Sequence, residues 1–224
     1  MISYKNLQII GTSHIAISSV KLVREKVLEE RPDFVALELD KNRLMALMSS
    51  KKRKIKIKDI MRLGVSGFLF TVFGQWMEEK LGKMVGTKPG GEMRVAVKMA
   101  AKIQANVVLI DQKIDITIKR LMKSITFKEK MRFVWDLIKG IVFRKGDIEQ
   151  FDLRKVPSEK IIEKMINSVK IRYPSVYRVL IEERNKYMGK KLYRLMNKFP
   201  EAKIIAVVGA GHEEGMLNEI KKYK

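Results

Sequence analysis

Two stretches near opposite ends of the chain read alike: LQIIGTSH (residues 7–14) and IAVVGAGH (residues 205–212). Each is an apolar run closed by a glycine, with histidine three places after that glycine. These are the only two histidines in 224 residues. At a glycine frequency near 7%, so matched a pair arises by chance in roughly 0.5% of cases. An apolar run that stops at glycine reads as a buried strand. Glycine lets the backbone turn tightly, so the following imidazole can enter a crevice. Open α/β sheets bind ligands outside the carboxyl ends of their strands. The two ends of the chain are therefore expected to meet in one sheet and to bring His14 and His212 together, with ring nitrogens within about 4 Å if they share a metal.

The second stretch invites a nucleotide reading, which fails. In Gly209-Ala210-Gly211-His212-Glu213-Glu214-Gly215 the third glycine is one place late for a dinucleotide fingerprint. Only nine residues follow it, leaving no second strand and no acid to hold a ribose.

Between the ends, Val20, Val23 and Val27 recur on one face of a helix over residues 20–30, with Ser18 or Ser19 as its cap and Pro32-Asp33 as its stop. FVALELD (34–40) reads as a second buried strand, which completes a β-α-β unit of parallel type. A helix over 42–50 follows, then a basic run KKRKIKIKD (51–59). Next come an apolar segment (63–77) and a Pro-Gly-Gly loop. A helix over 93–104 with Val97, Ala100 and Ala101 on one side leads to a third buried strand, NVVLID (106–111). Residues 121–199 carry basic amphipathic helices and no clear strand. The expected fold class is α/β: a mixed, mainly parallel central sheet built from both ends of the chain, with a large helical insertion or cap. A single domain would span 1–224, its core from 1–60, 95–120 and 200–224 and its helical insertions from 61–94 and 121–199.

The composition narrows the chemistry. With no cysteine there is no disulfide, thiolate ligand or cysteine nucleophile. Lys and Arg exceed Asp and Glu by 47 to 25, a formal charge of +22. That favours phosphates, acidic substrates or an anionic membrane face, although a thermophilic solvated surface has the same composition. The basic run has no aromatic neighbours, which disfavours nucleic acid. The N-terminus is a strand followed by a polar turn, unlike a signal peptide. The 63–77 segment is shorter than the roughly 20 residues that span a bilayer, so a cytoplasmic location is expected, with association at a membrane surface as an option. Segments 63–77 and 127–143 would cover the crevice or meet that membrane, unless they simply pack.

Glu38 lies inside an apolar strand, where a carboxylate needs a cation or a hydrogen-bond partner. Two histidines and a glutamate are a known ligand set for a divalent metal, with positions left for water and substrate. Alternatively Arg43 pairs with Glu38. In the metal reading His14, Glu38 and His212 hold zinc, manganese or cobalt. Glu92 at a glycine-flanked helix start is then the candidate general base, and Arg43, Arg120 or Arg184 meets the developing oxyanion.

The segments GTSHIAISSV, PDFVALELDKNRL, KPGGEMRVAVKMA, LIDQKIDITIKRL, LIEERNKYM and VVGAGHEEGM resemble, in order and spacing, the TraB/PrgY family. That family is similar to the TIKI metalloproteases and more distantly to erythromycin esterases and haem-binding ChaN-like proteins. The resemblance implies a metal-dependent hydrolase, most simply a peptidase acting on small or signalling peptides such as pheromones. It carries the family's active-site positions onto His14, Glu38 and His212, and polar motif positions onto Glu92, Asp111, Arg120 and Arg184. Asp111-Gln112 departs from the family's usual Asp-Arg, which leaves a charge missing or supplied by Lys113. Many prokaryotic relatives continue into C-terminal membrane helices, which this chain lacks. The rival readings are a non-catalytic domain that binds a peptide or haem, and a membrane-surface adaptor. The partners considered are a peptide substrate, a membrane surface and a second copy of the chain.

Overall fold

The apolar runs at the two ends of the chain lie side by side in one sheet. A computed structural model describes residues 1–12, 17–49, 90–143 and 159–223. The strands are β1 (Ile2–Tyr4), β2 (Leu7–Thr12), β3 (Phe34–Leu37), β4 (Asn106–Leu109) and β5 (Ile204–Gly209), in the order β1-β2-β5-β3-β4. All neighbours are parallel except β1, which folds back on β2. In the β2–β5 register Gly11 lies opposite Val208 and Thr12 opposite Gly209. The two Gly-x-x-His segments therefore leave neighbouring strands at the same end, one residue out of step. His14 itself, the 51–59 run and the 63–77 segment lie outside the described residues.

Strand β5 is central and buried along its whole length. Its side chains alternate between two helical layers, as the period of a strand requires. Ile205 and Val207 join Val23 and Val27 of α1 (Ile17–Glu30) and Met93, Ala96 and Ala100 of the helix over Gly91–Lys102. Ile204, Ala206 and Val208 join Met188, Leu192 and Met196 of the helix over Glu183–Lys198 and Met216 and Ile220 of the one over Glu213–Lys221. The α/β class and the mainly parallel sheet built from both ends are as the sequence leads one to expect.

Between these lie α2 (Lys41–Met48), α3 (Gly91–Lys102), α4 (Ile114–Ser124), α5 (Phe127–Phe143), α6 (Glu159–Arg172) and α7 (Pro174–Tyr177). A π-helical turn (Arg178–Glu182) runs straight into α8 (Glu183–Lys198), and a short 3₁₀ turn (Ala210–His212) leads into α9 (Glu213–Lys221). Several boundaries differ from the sequence reading. Helix α1 starts at Ile17, with Ser19 fully buried inside it instead of capping it. Strand β3 stops at Leu37, because the Leu39 N–H turns back to the Leu37 carbonyl at 2.7 Å. Asp40 then caps α2, accepting from the Asn42 and Arg43 amides at 2.7 and 3.2 Å. The buried stripe of α3 is Met93, Ala96 and Ala100, whereas Ala101 faces solvent. Strand β4 is an edge strand with Asn106 and Val107 exposed, not a wholly buried one.

Helix α5 is fastened to the α6–α7 junction by polar groups. Thr126 and Glu129 form a capping box, and the second Glu129 oxygen accepts from the Ser175 amide at 2.7 Å. Two turns further on, Asp136 accepts from Arg172 Nε at 2.6 Å and from the Tyr173 hydroxyl. Arg172, and then Tyr173, hold the Asp136 carboxyl well below its ordinary value, at about 2. The folded state therefore takes up this proton less readily than the unfolded chain. The pair's stabilisation is complete above the ordinary value of 3.8 and is lost as pH falls toward about 2. Asp136→Asn should lower stability at neutral pH and flatten the loss across that acid window. Urea melts at stepped pH read this directly, and a variant losing stability in parallel with wild type would contradict it.

Candidate functional site

Glu38 is the first residue beyond β3, on the sheet face opposite Leu37 and Leu39, and it is 2% exposed. One carboxylate oxygen accepts the Gly209 amide at 2.6 Å, tying the end of β3 to the end of β5. The other accepts from Arg184. Asp111, two residues past β4 and 5% exposed, meets the same guanidinium with both oxygens: Nε to Oδ1 at 3.1 Å and Nη2 to Oδ2 at 2.8 Å. Such a two-point fork is the geometry in which arginine grips a carboxylate best. Burial opposes the charge on Arg184. Glu38 and Asp111 outweigh it, and the guanidinium is held more firmly protonated than usual.

The remaining Arg184 nitrogen, Nη1, donates to the Leu180 carbonyl at 3.3 Å and lies 3.0 Å from His212 Nε2. Leu180 belongs to the π-helical turn, so that irregularity supplies a ligand to the arginine that follows it. π turns recur at functional sites for such reasons. His212, 5% exposed, closes the 3₁₀ turn after β5. Its Nδ1 is 2.7 Å from Asn185 Oδ1. A carbonyl oxygen only accepts, so Nδ1 carries the proton. Nε2 then presents its lone pair to the cluster, accepting from Arg184 and lying 3.5 Å from Glu38 Oε1.

Glycines make this packing possible at two points. A Cβ on Gly215 would overlap the Asn185 amide, and one on Gly11 would overlap the Glu213 carboxylate. The glycine before the first histidine thus leaves room for the residue after the second.

The structure brings together Glu38, Asp111, Arg184, His212 and Arg43. Arg43 does not pair with the Glu38 carboxylate, as the sequence alternative had it. Its Nη1 reaches Asp111 Oδ2 at 3.1 Å and the Glu38 backbone carbonyl at 3.4 Å. It is Arg43 and Arg184, not Lys113, that balance Asp111. Gln112 bonds Thr117 at 2.8 Å and is buried. Arg120 is not brought to the cluster: its side chain is 58% exposed and pairs with Glu183 at 2.8 Å. Glu92 is buried in the first turn of α3, in the helical layer opposite Arg184. Asn185 was not singled out from the sequence, although a buried asparagine inside a helix is a poor helix former held there for its side chain. Among the described residues no three His, Asp or Glu side chains are grouped to hold a metal ion.

The sequence matches the TraB/PrgY/gumN family over residues 2–222. The chain belongs to that family. It is 34% identical over 219 residues to an uncharacterized protein of Methanocaldococcus jannaschii, covering 97% of this chain and 54% of that protein. It is 25% identical over 232 residues to the TraB domain-containing protein of Homo sapiens, covering 93% of this chain and 61% of that protein, and the mouse protein gives the same figures. The chain thus spans a little over half the length of these relatives.

Each buried charge here has an opposite partner, so removing one strands the other. Glu38→Gln and Arg184→Leu should each lower unfolding free energy by about 3 kcal/mol. The double variant should lose clearly less than the sum, by a coupling of about 0.5–3 kcal/mol. Urea denaturation of the four proteins measures this, and strictly additive losses would show that the pair does not interact.

Proposed function

We propose that this TraB domain is a divalent-metal-dependent hydrolase of small peptides. The observation that carries the proposal is the placement of His212: a buried imidazole with Nδ1 spent on the Asn185 carbonyl and Nε2 accepting from Arg184 beside a buried glutamate oxygen. Metal-ligating histidines are commonly oriented in this way by a bond from the second nitrogen. His212 Nε2 and Glu38 Oε1 are 3.5 Å apart. Two ligands with bonds near 2.1 Å at tetrahedral angles stand about 3.4 Å apart, so the spacing suits one ion, which would take over from the Arg184 nitrogens that bond both atoms here. His14, two residues beyond Thr12 on the neighbouring strand, is the third ligand that the sequence supplies. Zinc, manganese or cobalt at this place would provide an activated water and a Lewis acid.

The chain's own residues have defined tasks in this reading. Asn185 fixes the imidazole tautomer. Gly209 N–H holds one Glu38 oxygen and leaves the other directed at the centre. Arg184 occupies the cationic position between Glu38, Asp111 and His212, and its Nη1 is the donor nearest to any oxyanion formed beside His212. Arg43 keeps Asp111 neutralised. Glu92, the proton-transfer residue expected from the sequence, is a buried carboxylate in the first turn of α3 on the other face of the sheet, so it would serve only across the strand ends.

The test is metal content together with peptide cleavage, on protein purified without an affinity tag. Wild type should hold stoichiometric divalent metal and cut a pool of short peptides, and a chelator should remove both properties. His212→Ala should lower cleavage on the order of 10²-fold or more and lose metal with it. Cleavage that survives complete metal removal would overturn the metal assignment. Bound metal or bound peptide with no turnover would favour the non-catalytic binding domain.

A further inference from the structure

Helix α5 is packed the wrong way round for a helix of a soluble protein. Its polar side chains point inward: Glu129, 4% exposed, to the Ser175 amide, Arg132 to the Arg172 carbonyl, and Asp136 to Arg172 and Tyr173. Its outward face carries Phe127, Met131, Val134 and Trp135, exposed by 78%, 53%, 47% and 57%. Their spacing of i, i+4, i+7 and i+8 places them on a single stripe. Exposed lysines border that stripe: Lys128 and Lys130 on either side near its start, and Lys139 stacked over the Trp135 ring at 5.5 Å. An amphipathic helix normally buries its apolar face against the core. Here the inward face is satisfied by ion pairs and caps, and among the described residues nothing covers the apolar stripe.

We infer that α5 is an interfacial helix which seats this protein on an anionic membrane surface. The charge decides the occupant. Lysines flanking an aromatic-rich stripe match a bilayer whose acyl boundary takes up Phe and Trp while its headgroups pair with ammonium groups. A second copy of the chain is disfavoured, because two molecules of formal charge +22 would meet basic face to basic face. The helix carries charges along both flanks, as a helix lying in the interface does. Among the described residues no helix is long and apolar enough to span a bilayer. This inference does not depend on the hydrolase reading.

Co-sedimentation of the full chain with vesicles tests it. At low salt the protein should pellet with equimolar phosphatidylcholine and phosphatidylserine, stay in solution with phosphatidylcholine alone, and be released by high salt. M131Q together with W135Q should lower the partition coefficient on the order of tenfold or more while leaving the urea melt unchanged, since both residues are exposed. K128E with K130E should do the same through charge. Wild type that ignores anionic vesicles at low salt would overturn the inference. So would an M131Q/W135Q protein that pellets like wild type, because charge alone would then suffice. Self-association of wild type that this variant abolishes would assign the stripe to a second copy and equally end the membrane reading.

Discussion

A single guanidinium set between two buried carboxylates organises the functional end of this sheet. Arg184 bonds Glu38 from β3, Asp111 from β4, the Leu180 carbonyl of its own helix and the imidazole that follows β5. Isolated, any of these charges would be expensive to bury. Together with Arg43 they form two cations against two anions, and each is satisfied by hydrogen bonds as well as by charge. Breaking such a buried pair usually costs more than the pair contributes, because the surviving partner is stranded. The cluster is thus a constraint as much as a source of stability: strands β3 and β4 and helix α8 must be in register for any one member to be tolerated.

The topology explains how distant parts of the chain supply these groups. Strand β5 is the last in sequence and the central one in space, inserted between β2 and β3. Every regular element between β4 and β5 among the described residues is a helix, and the last of those helices covers the β5 face before the strand is reached. Arg184 and Asn185 stand at the start of that helix, just after the π turn, where they overhang the carboxyl ends of the strands. His212 emerges beneath them. The glycine at 215 lets Asn185 come close enough to set the ring's tautomer, so two residues from the helical segment determine what a histidine at the chain's end can do.

Much of this was legible in the sequence, for reasons tied to particular residues. The repeated Gly-x-x-His after apolar runs indicated that the chain's ends share a sheet, and the β2–β5 pairing bears that out. Glu38 stood out because a carboxylate inside FVALELD demands a partner. The partner was not legible. Arg184, named from the sequence only as a candidate for the oxyanion, is separated from Glu38 by 146 residues, so neither charge nor periodicity marks it as the partner. Arg43, close in sequence, was the natural local guess, but the turn at Leu39 carries its side chain toward Asp111. The π turn leaves no mark in an apolar periodicity, and β4 was read as buried because composition does not reveal which strand lies at an edge. The apolar stripe of α5 has the pattern of a core helix; only the ion pairs on its other side show that it faces outward.

Arg184 and Asn185 together hold the buried His212 ring as the Nδ1–H tautomer, with Nε2 accepting from the Arg184 guanidinium. Nitrogen-15 NMR of the imidazole in uniformly labelled protein reads this directly at neutral pH. The account predicts a protonated, pyrrole-like shift for Nδ1 of His212 and an unprotonated, pyridine-like shift for Nε2, with the assignment lost in Asn185→Ala. Proton on Nε2 instead, or an imidazolium with both nitrogens protonated, would contradict it.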